Sequence, residues 1–403
     1  MVPRVPAGED GGVIDAATRH EFRVLAAAHP KLPLLLGAGR LARRLRRVPR
    51  IGWVTSDPLT ARRILNDPDH FTLLGEGGVG HLWAQVLGDW VYEIFDGPGH
   101  HQLRARTRDL FTDESARRLT DRVVGPRLAR AGAELRAGAT VDVADLARVL
   151  VGRIVADLLQ LPVADRDDAY REIFTTGEEL AALALGTTAS THLQPATIAR
   201  AKAIVARLTA NVAGTWRTAP PETVLGRCRE LGLPQQQAEG LATLLMVAGT
   251  ETAASAMART VALLHDTGAQ HRLRAEPELL PEAVREGLRV TTPAPLIGRA
   301  VAADVTVDGR LLRAGERVLM LTYTANNAAG GFDLNRGYLP DQRQLWFGAG
   351  RHLCLGAPVA RAEITGLLRT LLDAGGPIRI ANRRYRRNVL IPSYASLPVA
   401  IAA

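Results

Sequence analysis

Across residues 234–265 apolar side chains recur at helical spacing for about 30 residues, which as one α-helix would run roughly 45 Å. A helix that long crosses a whole domain, so the rest of the chain has to be wrapped around it. Its apolar stretch, residues 241–264, has the length of a membrane span, but Glu251 and Arg259 lie inside it beside several Thr and Ser. It therefore reads as the buried helix of a soluble protein, with no membrane span expected. Composition permits the wrapping: 47% hydrophobic against 23% charged residues can enclose a sizeable core. Aromatics are only 4%, and a core of mostly Ala, Leu and Val leans to helix over sheet. No linker, repeat or low-complexity tract divides the 403 residues, so a single domain over residues 1–403 is expected.

The remaining pattern is mainly α with a small β region. A strand is expected at residues 51–55, a short helix at 58–66, and a long loop at 75–90 carrying Gly75, Gly77, Gly78 and Gly80. From Pro98 a helix places His100 and Arg104 one turn apart on one face. Helices are expected over 141–161, 166–185 and 195–218, with 186–191 separating the first two from the third, and over 281–290, stopped by Thr291, Thr292 and Pro293. Strand-like alternation fills 299–321, residues 330–343 are irregular, a last helix starts near Gly356 or Ala357, and a β hairpin occupies 385–399.

The net charge of +9 comes almost wholly from Arg, with Lys31 and Lys202 the exceptions. The densest basic run is Arg40, Arg43, Arg44, Arg46, Arg47 and Arg50. No interleaved aromatic platform or DNA-binding motif goes with it, so it reads as a solvated face and no nucleic acid is expected as a partner. The two cysteines, Cys228 and Cys354, belong to no close pair, and residues 1–10 lack the apolar centre of a signal peptide. A cytoplasmic protein, monomeric, is the expectation.

The most informative segment is Phe347-Gly348-Ala349-Gly350-Arg351-His352-Leu353-Cys354-Leu355-Gly356. Its glycines allow a tight loop whose amides approach the sulfur, and the helix that follows points its positive end there. Both effects favour a thiolate screened by Phe347, as an axial iron ligand requires. The plain alternative is a buried cysteine in a glycine turn. A zinc site on His352 and Cys354 lacks two nearby ligands, and a cysteine nucleophile would need a distant His and acid.

This loop resembles the haem-binding loop of the cytochrome P450 family, Phe-Gly-x-Gly-x-His-x-Cys-x-Gly, at every fixed position. Three further landmarks follow in the family's order. Ala248-Gly249-Thr250-Glu251-Thr252 resembles the oxygen-binding segment of the long helix; Ala248 and Thr252 share a face, and Thr252 can bond a carbonyl one turn back and open a kink. Of two overlapping Glu-x-x-Arg pairs, Glu286 with Arg289 resembles the family's buried lock, which engages an Arg from the irregular segment, here Arg336. Glu282 with Arg285 is the pair not chosen. His100, Arg104, Arg299 and His352 match the groups that hold the haem propionates. The stretch 325–336 departs from the pattern by several deleted residues.

What the resemblance implies is a mostly helical P450 fold, haem b (iron protoporphyrin IX) on Cys354, with Ala248 and Phe347 against the cofactor and Glu251 and Thr252 as the proton relay. Substrate contacts would come from the 75–90 region including Trp83, from residues 180–191, and from Leu244, Val247, Pro295, Leu296, Ile297 and Tyr394. Most are apolar, which suits a terpenoid, steroid, polyketide or other natural product. The implied reaction is insertion of one oxygen atom from O2, with electrons from a ferredoxin or flavodoxin and its reductase, docked on Arg106, Arg108 and Arg351. Oxidative coupling or cyclisation on the same scaffold, and a haem-binding ligand sensor without turnover, are the alternatives.

Overall fold

The computed structural model describes residues 15–41, 44–75, 79–185, 192–210 and 212–402. The long helix is Gln235–Asp266, unbroken through Gly249, and ends where Gly268 takes a left-handed φ of +71°. From Ala253 to Leu264 every residue is buried, the mark of a helix enclosed on all sides. Around it pack helices Val143–Leu158, Asp167–Leu185, Pro195–Thr209, Leu280–Thr291 and Ala357–Leu372. Gly287 lets one of these come close, since a Cβ there would lie 2.4 Å from Thr260 Oγ1. The helix has the length and apolarity of a membrane span, and its apolar window is 72% buried inside the protein.

Arg259 would be a costly charge at the middle of this core. It is fully buried and is neutralised by Glu21 from helix Ala16–Ala28, while its remaining donors reach Ser255 Oγ, Pro392 O and Thr291 O. One side chain thereby ties three distant parts of the chain to the long helix.

The β structure is small. A five-stranded sheet has the order Arg46–Val48, Gly52–Thr55, Arg317–Met320, Ile297–Val301, Phe71–Thr72, with only the second and third strands parallel. Val141–Asp142 and Ile378–Ile380 flank Pro398–Ile401 in a second sheet. The expected terminal hairpin is confined to Arg384–Tyr385 and Tyr394–Ser396, because Pro398–Ile401 turns away to join that sheet.

Other expectations are corrected. The 75–90 loop is largely helix Val79–Leu87, whose Leu82, Trp83 and Val86 pack into the core; Gly80 lies in it because Leu73 and Leu74 press against its missing side chain. The 195–218 helix is two, Pro195–Thr209 and Val212–Trp216. Helices Ala16–Ala28, Leu32–Leu41, Asp113–Val123 and Gly125–Arg136 were not anticipated. The separator at 186–191 and Arg43 lie outside the described residues.

Candidate functional site

Gly348 and Gly350 adopt φ of +75° and +68°, conformations that shape the loop before Cys354 and that favour glycine. A Cβ on Gly350 would sit 2.1 Å from Leu65 O, so the loop is pressed against helix Pro58–Leu65. The Cys354 amide donates to Phe347 O at 2.9 Å and closes the turn. Phe347 lies between Trp346, at 6.3 Å between rings, and the Arg361 guanidinium, at 6.0 Å.

Burial pushes the Cys354 thiol above its ordinary value, and it outweighs the amides of Gly356 and Ala357 and the nearby Arg104 and Arg361. The expected amide donors are present at the sulfur and favour the thiolate, against the desolvation that favours the thiol. Cys354 nonetheless keeps accessible surface, as does Leu353. On the long helix, Ala248 and Gly249 are exposed between buried Val247 and buried Thr250, and a Cβ on Gly249 would meet nothing within 4 Å. Open surface in the middle of the most enclosed helix, and on the loop leading into a helix that packs on it, marks an internal slot.

Cationic groups gather along one side. Arg104 donates to Leu353 O at 2.8 Å, and the His100 and His352 rings are 4.7 Å apart. Burial drives His100 down to about 4, helped by His352, Arg104 and Arg351, so it is neutral at pH 7. Arg299 is 8% exposed, is lowered to about 10 by burial, and donates to Gly298 O. His352 shares a 2.7 Å contact with Asp96, and burial lowers it against that attraction. Asp96, despite burial, is held down to about 2 by hydrogen bonds from His352 and Thr72. Arg351 is also tied to Asp96, donating to its carbonyl at 3.0 Å, with its side chain still 31% exposed. Arg351 and Arg299 lie by Asp96 while Arg104 lies by Cys354, so three guanidiniums gather where Asp96 is the carboxylate named against two of them. The residues present thus fit a flat dianionic macrocycle with an iron centre: a slot, a sulfur ligand and charge for two carboxylates. Asp96 was missed by sequence reasoning; its position just before Gly97-Pro98, at the start of the His100 helix, was the available signal.

On the other side of the slot, Thr252 Oγ1 donates to Ala248 O at 2.9 Å. Burial, with Glu178 adding like charge and Arg386 opposing it, pushes Glu251 up to about 7. Glu286 is joined by both Arg289 (2.7 and 2.8 Å) and Arg336 (3.3 Å), and Arg289 and Arg336 both donate onward to Gly331 O. The residues expected to touch substrate are not all brought together. Trp83, Leu244 and Val247 share the main apolar cluster, whereas Leu296 and Ile297 pack into separate clusters near the five-stranded sheet, and the Pro295 carbonyl accepts from the Tyr323 amide. Tyr394 is 1% exposed, stacked on Tyr385 with its hydroxyl 3.4 Å from His20, so it is a core residue. Among the described residues no cluster of three or more His, Cys, Asp or Glu is placed to hold a metal ion.

The family model for cytochrome P450 matches residues 229–374. A putative cytochrome P450, YjiB of Bacillus subtilis (strain 168), is 38% identical over 138 residues, 33% of this chain and 34% of that protein, so the match spans about a third of its length. Nocardicin C N-oxygenase of Nocardia uniformis subsp. tsuyamanensis is 31% identical over 325 residues, 75% of this chain and 77% of that one. Among solved structures, a mutant of P450 EryK in complex with erythromycin B superposes with a TM-score of 0.75 at 23% identity, covering 97% of this chain and 98% of that chain, a likeness of fold. The chain belongs to the cytochrome P450 family. That family consists of haem enzymes, generally monooxygenases.

Proposed function

We propose that the protein is a haem-thiolate monooxygenase, one domain carrying haem b on Cys354, that inserts one oxygen atom from O2 into an apolar small molecule such as a terpenoid, steroid or polyketide. The observation that carries this reading is Glu251, a carboxyl with no hydrogen bond or ion pair among the described residues and pushed up to about 7 by burial, set beside Thr252 in the helix that exposes Ala248 and Gly249. A ligand sensor has no use for such a group. The relative named for N-oxygenation supports oxygen insertion.

Haem, when bound, supplies the redox centre that activates O2. The chain's residues do the rest. Arg104, Arg299, His100 and His352 hold the propionates by charge-assisted or neutral hydrogen bonds. Glu251 holds a proton on its carboxyl, and the Thr252 hydroxyl, which donates to Ala248 O at rest, takes up the relay by turning from that carbonyl. The tight loop, closed by the Cys354 amide on Phe347 O, holds the sulfur in place. Trp83, Leu244 and Val247 offer apolar surface for substrate. Electrons come from a ferredoxin or flavodoxin with its reductase, and the exposed Arg106 and Arg108, on the segment that also carries Arg104, suit an acidic partner.

The test is spectroscopic and isotopic. The reduced carbon monoxide complex of the purified protein should have the red-shifted Soret band of thiolate ligation, lost in Cys354→Ser and kept in Cys228→Ser, whose cysteine is wholly buried. With labelled dioxygen and a turned-over substrate, one labelled atom should enter the product. Retention of the band in Cys354→Ser would overturn the ligand, and unlabelled product would overturn the reaction.

A further inference from the structure

Glu251 does not face the core alone. Beside the long helix lies a cavity of about 10 Å³, room for about one water. Its polar lining consists of Glu251 and Ser255 from the long helix, Glu178 from helix Asp167–Leu185, Arg148 from helix Val143–Leu158, and Ser393 and Tyr394 from the C-terminal segment. Arg386, from the same segment, donates to Glu178 at 2.6 Å; the acid is 13% exposed and the guanidinium 29%. A path therefore runs from a partly exposed cation through a nearly buried carboxylate and a water-sized cavity to Glu251.

The other charged or titratable groups of this cluster are already committed. Arg148 donates to Tyr394 O at 2.6 Å and Ala395 O at 3.2 Å, which fixes its charge in place. Asp145, beside it, is bound by Arg171 at 2.7 and 2.8 Å. Burial raises the Tyr394 phenol, so it keeps its proton, and its hydroxyl is turned to His20. Glu178 and Arg386 are left as the pair whose separation changes the field at Glu251.

We propose that Glu178 and Arg386 are positioning residues of the proton relay: a surface-linked ion pair that, by closing and opening across the one-water cavity, governs when Glu251 holds its proton. This rests on the reading of Glu251 as the proton donor. With the pair closed, Arg386 cancels the Glu178 charge and Glu251 can give its proton to Thr252, becoming a carboxylate. With Arg386 swung to solvent, two carboxylates face one cavity and one proton from solvent binds between them, passes over the water and returns to Glu251. Each cycle moves one proton inward and no electrons.

The holoprotein tests this without turnover. The infrared band of the protonated Glu251 carboxyl, identified by its loss in Glu251→Gln, is titrated against pH in wild type, Glu178→Gln, Arg386→Gln and the double variant. Removing the Glu178 charge should lower the midpoint by about one unit, tenfold in proton affinity, and removing Arg386 should raise it by a similar amount. The double variant should return towards wild type, and Arg386→Lys should restore the wild-type midpoint. Unchanged haem absorbance and circular dichroism exclude misfolding, and Glu178→Asp serves if Glu178→Gln does not fold. A midpoint unmoved by both changes, or moved the same way by both, overturns the switch and leaves the Glu251 reading intact. If Glu251→Gln removes no titrating band, it is the Glu251 reading that fails.

Discussion

Glu286 and Glu251 are two acids within one helical core, and their surroundings are opposite. Glu286 is 1% exposed and accepts hydrogen bonds from Arg289, Arg336 and the Asp333 amide, so its charge is matched on both oxygens. Glu251 has no hydrogen bond or ion pair among the described residues, and burial pushes it up to about 7. A buried carboxylate enclosed by guanidiniums keeps one protonation state and holds backbone together. One left without them can change its state near neutral pH, which is what a relay needs.

The largest effect should come from breaking the enclosed site. Glu286→Ala leaves Arg289, 2% exposed, and Arg336 without their carboxylate, and loosens the 326–336 stretch whose carbonyls Arg289 holds. The expected loss is about 3–5 kcal/mol, measured by denaturant unfolding of the holoprotein. A loss under about 1 kcal/mol would mean the pair is incidental and the contrast with Glu251 has no basis.

The second test is the pH dependence of Glu251. Its proton affinity is raised from an ordinary 4.5 to about 7 in the folded chain. Between those values the folded state binds more protons than the unfolded state, so the stability this group contributes is full below pH 4.5 and is lost as pH rises through 7. Glu251→Gln, neutral at every pH, should match wild type near pH 4 and exceed it by about 2–3 kcal/mol near pH 8. Thermal unfolding at the two pH values checks this. A difference that does not change with pH would place Glu251 in solvent-like surroundings and remove its claim to a relay.

The two sites also differ in how much the sequence could reveal. The Cys354 loop and the Glu286 lock are local: glycines at fixed offsets make the loop, and an i,i+3 spacing makes the pair, so both were legible as patterns. Even Arg336, fifty positions from Glu286 (336 − 286), was reachable through the resemblance, despite the shortened segment before it. Glu178, Arg386, Arg148 and Asp96 were not. Each lies far along the chain from the group it affects, and each looks in sequence like any surface charge until tertiary packing sets it there. Local pattern found the long helix to within a residue at each end, but it missed helix Asp113–Val123, where four charged residues precede the last turn and the apolar positions are sparse. The hydroxyl behind the kink expected at Thr252 does bond back to Ala248 O, within a helix that is continuous from Gln235 to Asp266.

The smallest effect is the control that makes the first one mean something. Glu282 and Arg285 repeat the same spacing one turn earlier on the same helix, and in sequence nothing but the position of the Thr-Thr-Pro break separates them from Glu286 and Arg289. Burial separates them in the structure: Glu282 is 36% exposed and Arg285 25%, against 1% and 2% for the inner pair. Water can solvate both outer groups once the bond is broken, so neither is left as an uncompensated buried charge. Arg285 also donates to Arg336 O, a contact that does not depend on Glu282. Glu282→Ala should therefore cost about 0.2–1 kcal/mol, a value that high salt reduces further. Unfolding of Glu282→Ala and Glu286→Ala in parallel, at low and high ionic strength, reads both. If the outer pair costs as much as the inner one, spacing alone decides the energy and burial does not, which would dissolve the distinction drawn between the lock and the relay.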